Sequence, residues 1–139
     1  MQENSFVIYK RDILISIQPQ YVEKILNGTK RYEFRKIAPD KSFVRDFYIY
    51  SSAPVQRVVA RFPMTEVHVG SPEQVWGICS EFAGGSKEDF LEYFDGKEKA
   101  YAIEIKGLHK FDEPINPFKQ NKKFWPPQSY CYLKNGVLS

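Results

Sequence analysis

The stretch DILISIQPQYVEKILNGTKRYEFRK, residues 12–36, decides the fold. Ile13, Leu14, Ile15 and Ile17 make a nearly unbroken apolar run rich in β-branched side chains, the pattern of a strand buried inside a sheet. Pro19 presets the backbone for a first helical turn, and Gly28 suits a left-handed helix stop. Between them Tyr21, Val22, Ile25 and Leu26 recur at helical spacing, with Glu23, Lys24 and Asn27 left to water. Lys30 to Lys36 then reads as a second strand.

Working outward, Phe47 to Ser51 and Val55 to Phe62 read as two more strands, joined by a turn at Ala53-Pro54. Ser71-Pro72-Glu73-Gln74 is a capping box with proline at the first helical position, so a helix starts there and buries Val75, Trp76 and Cys79. After the Gly84-Gly85 break, Ser86 caps a further helix carrying Phe90, Leu91 and Phe94, and Gly96 ends it. Ala100 to Lys106 returns to period two, with Tyr101, Ile103 and Ile105 on one face. The tail, Phe118 to Leu133, is aromatic and proline-rich. This order predicts an α+β fold, with a largely antiparallel sheet and helices outside it. A sheet of about five strands tends to curl toward a small barrel.

With 139 residues and 16.3 kDa, the chain reads as one domain over residues 1–139, large enough to fold without a metal or disulfide staple. A mean hydropathy of -0.47 and the lack of any long apolar run exclude a helical membrane span. The N-terminal residues Met1 to Phe6 lack the basic-then-apolar build of a secretory signal, so a cytoplasmic protein is expected. The phosphate-binding loop, the dinucleotide-binding glycine turn and the nucleophile elbow are all missing. His68 and His109 lack partners at metal-ligand spacing, and Cys79 and Cys131 make neither a zinc quartet nor a disulfide framework. No metal and no cofactor is therefore expected. His68 reads as an exposed strand residue, and both cysteines as small buried residues.

Charge is unevenly placed. Pro19 to Lys36 carries a balance of +3, residues 117–139 hold four lysines and no acid, and Ser71 to Glu104 carries -5. Either charge is scattered by chance, or a basic face awaits an anionic partner while an acidic face turns away. Aromatic residues reach 16%.

Gly28-Thr29-Lys30-Arg31-Tyr32-Glu33-Phe34-Arg35 is the most specific segment. Residues two apart on a strand share a face, so Arg31, Glu33 and Arg35 project together while Tyr32 and Phe34 turn to the core. Lys30, at the helix-to-strand turn, can bend over either face. Two readings stand on pattern alone. One is a solvated strand with a Glu–Arg pair worth about 0–1 kcal/mol. The other is a polar pocket whose Glu33 is held ionised by an arginine and accepts from a base or amide.

Gly28, Lys30, Glu33 and Arg35, following a strand and a short helix, resemble the signature of the ASCH domain, a branch of the PUA-like superfamily. The segments 13–19, 50–55 and 126–130 are similar to prokaryotic members as well. The resemblance implies a small, mostly antiparallel β-barrel with flanking helices and a cleft lined by the motif strand. It implies a cleft that binds RNA or a nucleotide, recognising a base or modified nucleotide; the hydropathy already argues against a membrane partner. Lys30, Glu33 and Arg35 would line it, with Ser51 and Ser52 adding hydroxyls and Gln128, Ser129 and Tyr130 closing it from the tail. Pro126-Pro127 is either a rigid turn that parks Trp125 and Tyr130 on the core, or a lead-in that leaves Trp125 to stack on a base.

The alternative the resemblance implies is a small metal-independent hydrolase, either a nucleoside amidohydrolase or a ribonuclease, using Lys30, Glu33 and Tyr130. The acetylcytidine amidohydrolases of the family use the motif lysine with a threonine three positions later. Glu33 stands at that position here, which argues against threonine-based deacylation.

Overall fold

The computed structural model describes residues 9–134 and Leu138. In chain order the elements are β1 (Arg11–Ile17), α1 (Pro19–Leu26), β2 (Tyr32–Arg35), β3 (Val44–Ser51), β4 (Arg57–Pro63), β5 (Val67–Gly70), α2 (Pro72–Cys79), α3 (Lys87–Tyr93), β6 (Ala100–Glu104), β7 (His109–Ile115), α4 (Pro117–Gln120) and β8 (Tyr130–Tyr132), with short 3-10 turns at Lys41–Phe43 and Ser80–Phe82. The α+β expectation holds.

Among the described residues the strands form two open sheets, ordered β7-β4-β3-β1-β8 and β2-β6-β5, and the expected β-barrel does not close. After α1 the chain does not return to the edge of β1. It builds β2, which pairs with β6, and β3 then lies parallel to β1. A parallel pair needs such a crossover, and this one sends β2 into a separate layer. Every other ladder is antiparallel.

Packing explains the sequence pattern. Ile13, Ile15 and Ile17 face a core shared with α1, Phe47, Phe62 and, from the small sheet, Ile103 and Ile105. Leu14 faces the opposite way, against Tyr50 and Val58 under Phe124 and Cys131. Ile13 to Ile15 of β1 form an unbroken apolar run because both faces of the strand are covered there. β6 behaves alike: Ile103 and, just past the strand, Ile105 enter the first core, while Ala100 and Ala102 pack under α2 and α3 beside Val75, Cys79, Phe90 and Phe94. Burying each such large side chain contributes roughly 1.5–3 kcal/mol. The result is a layered molecule: α2 and α3, small sheet, central core, large sheet, tail.

Both predicted caps form. Ser71 accepts from the Gln74 amide while Gln74 accepts from the Ser71 amide, and the Ser86 hydroxyl accepts from the Asp89 amide. β5, β7, β8 and α4 are elements beyond the sequence reading. His68, expected to be exposed, is half-buried within β5, 3.4 Å from Glu104 and edge-on to Tyr32. Cys79 is fully buried and burial pushes its thiol up to about 12, which removes it from thiolate chemistry.

Candidate functional site

A cavity of about 640 Å³ opens between β2, α1, the junction of α2 with α3, the end of β1 and the tail. Its floor is set by how the chain enters β2. The Lys30 amide donates to the Lys24 carbonyl at the end of α1, and the Arg31 amide donates to the Phe82 carbonyl, each close to 3 Å. Lys30 is thereby clamped between a helix end and the 80–84 segment, and it is only 4% exposed. Its Nζ donates to the Ala83 carbonyl at 3.0 Å and lies 4.5 Å from the Phe34 ring centre. Glu33 Oε1 stands 3.8 Å away. Burial pushes the Lys30 ammonium below its ordinary value, Glu33 opposes that shift, and Lys24 and Arg35 add to it.

Arg35 secures the other half of Glu33. Its Nε and one terminal nitrogen both donate to Glu33 Oε2, at 3.1 and 2.8 Å. The same guanidinium donates to the Ser16 carbonyl at 2.7 Å and to Ser129 Oγ at 3.1 Å. Most of its donors are satisfied by protein, so Arg35 acts mainly to position Glu33 and the tail. Glu33 Oε1 has no hydrogen bond among the described residues and remains as an acceptor beside an ammonium.

The opposite wall is glycine. Lys24 Nζ donates to the Gly84 carbonyl at 2.7 Å. Gly84 has φ +76, and a Cβ there would lie 2.7 Å from Lys30 Cβ. Only glycine lets the backbone pass this close to the lysine stem. Ser86, Asp89, Phe90 and Tyr93 continue the wall along α3, and burial raises the Tyr93 phenol. Asp89 places part of the acidic segment in the cleft itself, instead of on a face turned away from it.

Of the side chains expected from the sequence, Lys30, Glu33, Arg35, Ser52 and Gln128 meet in this cavity, and Ser129 borders it through Arg35. Three do not join them. Ser51 is buried at the end of β3, closed in between Ile17 and Arg57 on the flanking strands. Tyr130 opens β8, opposite Ile15, and packs on the central core, where burial raises its phenol. Trp125 is 86% exposed and lies neither on the core nor in the cavity lining. Arg31 also departs from expectation. The β2 ladder begins at Tyr32, so Arg31 precedes the regular pleat and stacks 3.9 Å from the Phe82 ring centre. Tyr21, Lys24, Gly84, Gly85 and Tyr93 were not legible as site residues. The Gly84-Gly85 pair was the one available signal, and it read as a helix break.

The layered α+β frame with a lysine–glutamate–arginine floor defines a class. The ASCH domain profile matches residues 15–109, and the chain belongs to the ASCH domain family. It is 30% identical over 131 residues to an ASCH domain-containing ribonuclease of Zymomonas mobilis, covering 90% of this chain and 86% of that protein. The fold matches crystal structures of ASCH from the same organism. A serine-to-alanine variant gives a TM-score of 0.81 at 25% identity over 94% of both chains. A tyrosine-to-phenylalanine variant gives 0.80 at 26% identity, covering 92% of this chain and 94% of that one. A segment of a Ureaplasma parvum protein named ATP synthase subunit alpha is 30% identical over 130 residues, but this chain spans only 16% of its length.

Proposed function

We propose that the cleft acts on RNA and that Lys30 and Glu33 carry cleavage of a phosphodiester bond. The observation that carries this reading is the pair itself: a buried ammonium 3.8 Å from a carboxylate oxygen that has no other partner among the described residues, in a cavity large enough for a nucleotide. The relative that covers most of this chain and is named a ribonuclease supports it.

Glu33 Oε1 accepts the proton of a ribose 2′-hydroxyl as the 2′-oxygen attacks phosphorus. Lys30 faces the charge that builds on the phosphoryl oxygens, and its proton passes to the departing 5′-oxygen as that bond breaks. Its lowered pKa makes Lys30 a better acid than an ordinary lysine. The products are a 2′,3′-cyclic phosphate and a 5′-hydroxyl. The proton on Glu33 then returns to the neutral amine beside it, which resets the site.

The purified protein should convert an RNA oligonucleotide to cyclic-phosphate products and leave a 2′-O-methyl version intact. Cleavage of the methylated strand would exclude attack by the 2′-oxygen.

A second reading is recognition without turnover. It is favoured by the aromatic lining of Tyr21, Phe34, Phe90 and Tyr93, which suits a base held in place. Tight binding of RNA with no product at any pH would establish that reading and remove the first.

A further inference from the structure

We propose that Trp125, with Lys122 and Lys123, forms an outer stacking subsite for a nucleotide adjacent to the one held in the cleft. This rests on the RNA reading of the cavity. An 86%-exposed tryptophan on a slack loop would mean little, but this one sits on an anchored segment. Immediately before it, Phe124 packs edge-on to Phe118 and against Tyr50, and its amide closes a turn onto the Asn121 carbonyl. The Lys123 amide is held by the Asn121 side chain at 3.0 Å. Two residues after Trp125, Pro127 lines the cavity and its carbonyl accepts from Ser16 Oγ at 2.6 Å.

The indole is therefore presented to solvent by a short Pro126-Pro127 rail with both ends fixed. Its backbone stands within about 7 Å of the cavity wall, since two residues of extended chain span no more. That is the reach of the next nucleotide along an extended strand. Lys122 and Lys123 precede it by three and two residues, both exposed and neither paired with a carboxylate among the described residues. An exposed indole on anchored backbone, close in sequence to unpaired lysines, is the combination that stacks bases and tracks phosphates without reading sequence.

The test uses fluorescence anisotropy with labelled 2′-O-methyl oligonucleotides, which block cleavage, of one to about eight nucleotides. Trp125→Ala should weaken the longer oligonucleotides about tenfold and leave a mononucleotide unchanged, while Trp125→Phe retains most of the affinity. Replacing Lys122 and Lys123 with alanine should flatten the dependence of log affinity on log salt by about 0.7 per lost phosphate contact.

Equal affinity of the wild type and Trp125→Ala for every length would overturn the subsite and leave the cleft reading standing. So would equal losses for the mononucleotide and the longer strands. Self-association that disappears in Trp125→Ala, with RNA affinity unaltered, assigns the indole to a second copy of the chain and overturns the proposal. No binding of any oligonucleotide by the wild type, even at low salt, removes the cleft reading along with it.

Discussion

Two arginine–carboxylate contacts lie near opposite ends of β1, and they are built for different purposes. At the start of the strand Arg45 grips Asp12 with two parallel bonds of 3.0 and 2.8 Å, and the guanidinium is largely in water. At the other end Arg35 grips a single oxygen of Glu33 and also holds Ser16 and Ser129, with side chains little exposed. The first contact satisfies both carboxylate oxygens, so nothing remains to react. The second leaves Oε1 toward Lys30 and the cavity. Solvated pairs contribute little to stability, whereas a buried group of charges costs desolvation that only complete pairing offsets. The cleft keeps its pairing incomplete, as expected of a site that works on something else.

The sharpest way to break this contrast is to remove the anion. Glu33→Leu strands Lys30 and Arg35 together in a buried setting, and urea denaturation should show a loss of about 3–5 kcal/mol. A loss as small as that of an exposed pair would mean that water reaches the floor freely. Next in size, Gly84→Ala forces a Cβ against the Lys30 stem at a positive φ. Strain of about 1–3 kcal/mol should appear as a lowered Tm, with activity reduced because Lys30 must shift.

Lys30→Met should change stability at neutral pH by less than about 1.5 kcal/mol, because removing a desolvated charge compensates for the lost bond to Ala83. Its signature is in pH. The folded pKa of Lys30 lies below its ordinary value of 10.5, so between the two the unfolded chain binds more protons. Lys30 therefore penalises the fold at low pH, and stability rises as pH increases through that window. The wild type should gain on Lys30→Met over the same range, measured as the difference between the two proteins. The raised phenols of Tyr32, Tyr50, Tyr93 and Tyr130 act in the opposite direction above pH 10 and cancel in that difference. The smallest effect belongs to Arg45→Ala, whose thermal unfolding should be nearly that of the wild type and should approach it further as salt is added.

The same contrast shows what a sequence discloses. Period and punctuation found β1, α1, the two capped helices and the strand at Ala100, because each is decided by neighbours a few positions away. β5, β7 and β8 escaped. β8 has three residues and exists because Ile13, Leu14 and Ile15 offer it an edge, and β5 exists because β6 does. Closure into a barrel was a misjudgement of which strands pair. That depends on the crossover after α1, a long-range choice no window of residues contains.

In the site, alternation along β2 correctly set Glu33 and Arg35 on one side, but it could not show that Arg35 would be taken up by Ser16 and Ser129, residues distant in sequence. Nor could it show that Lys24 turns inward to the Gly84 carbonyl, since Lys24 sits where an amphipathic helix shows its polar face. Cysteine chemistry was legible for a simpler reason. Cys79 lies on an apolar helical stripe, and burial follows from that stripe alone.

If the Lys30–Glu33 pair carries chemistry on RNA, as proposed, turnover needs both side chains. The direct measurement is the initial rate of oligoribonucleotide cleavage by the wild type, Lys30→Met and Glu33→Gln at matched concentration, with circular dichroism confirming that all three are folded. Each variant should lose about 10²–10⁴-fold in rate. Wild-type turnover in either folded variant would show that the pair does not carry the reaction.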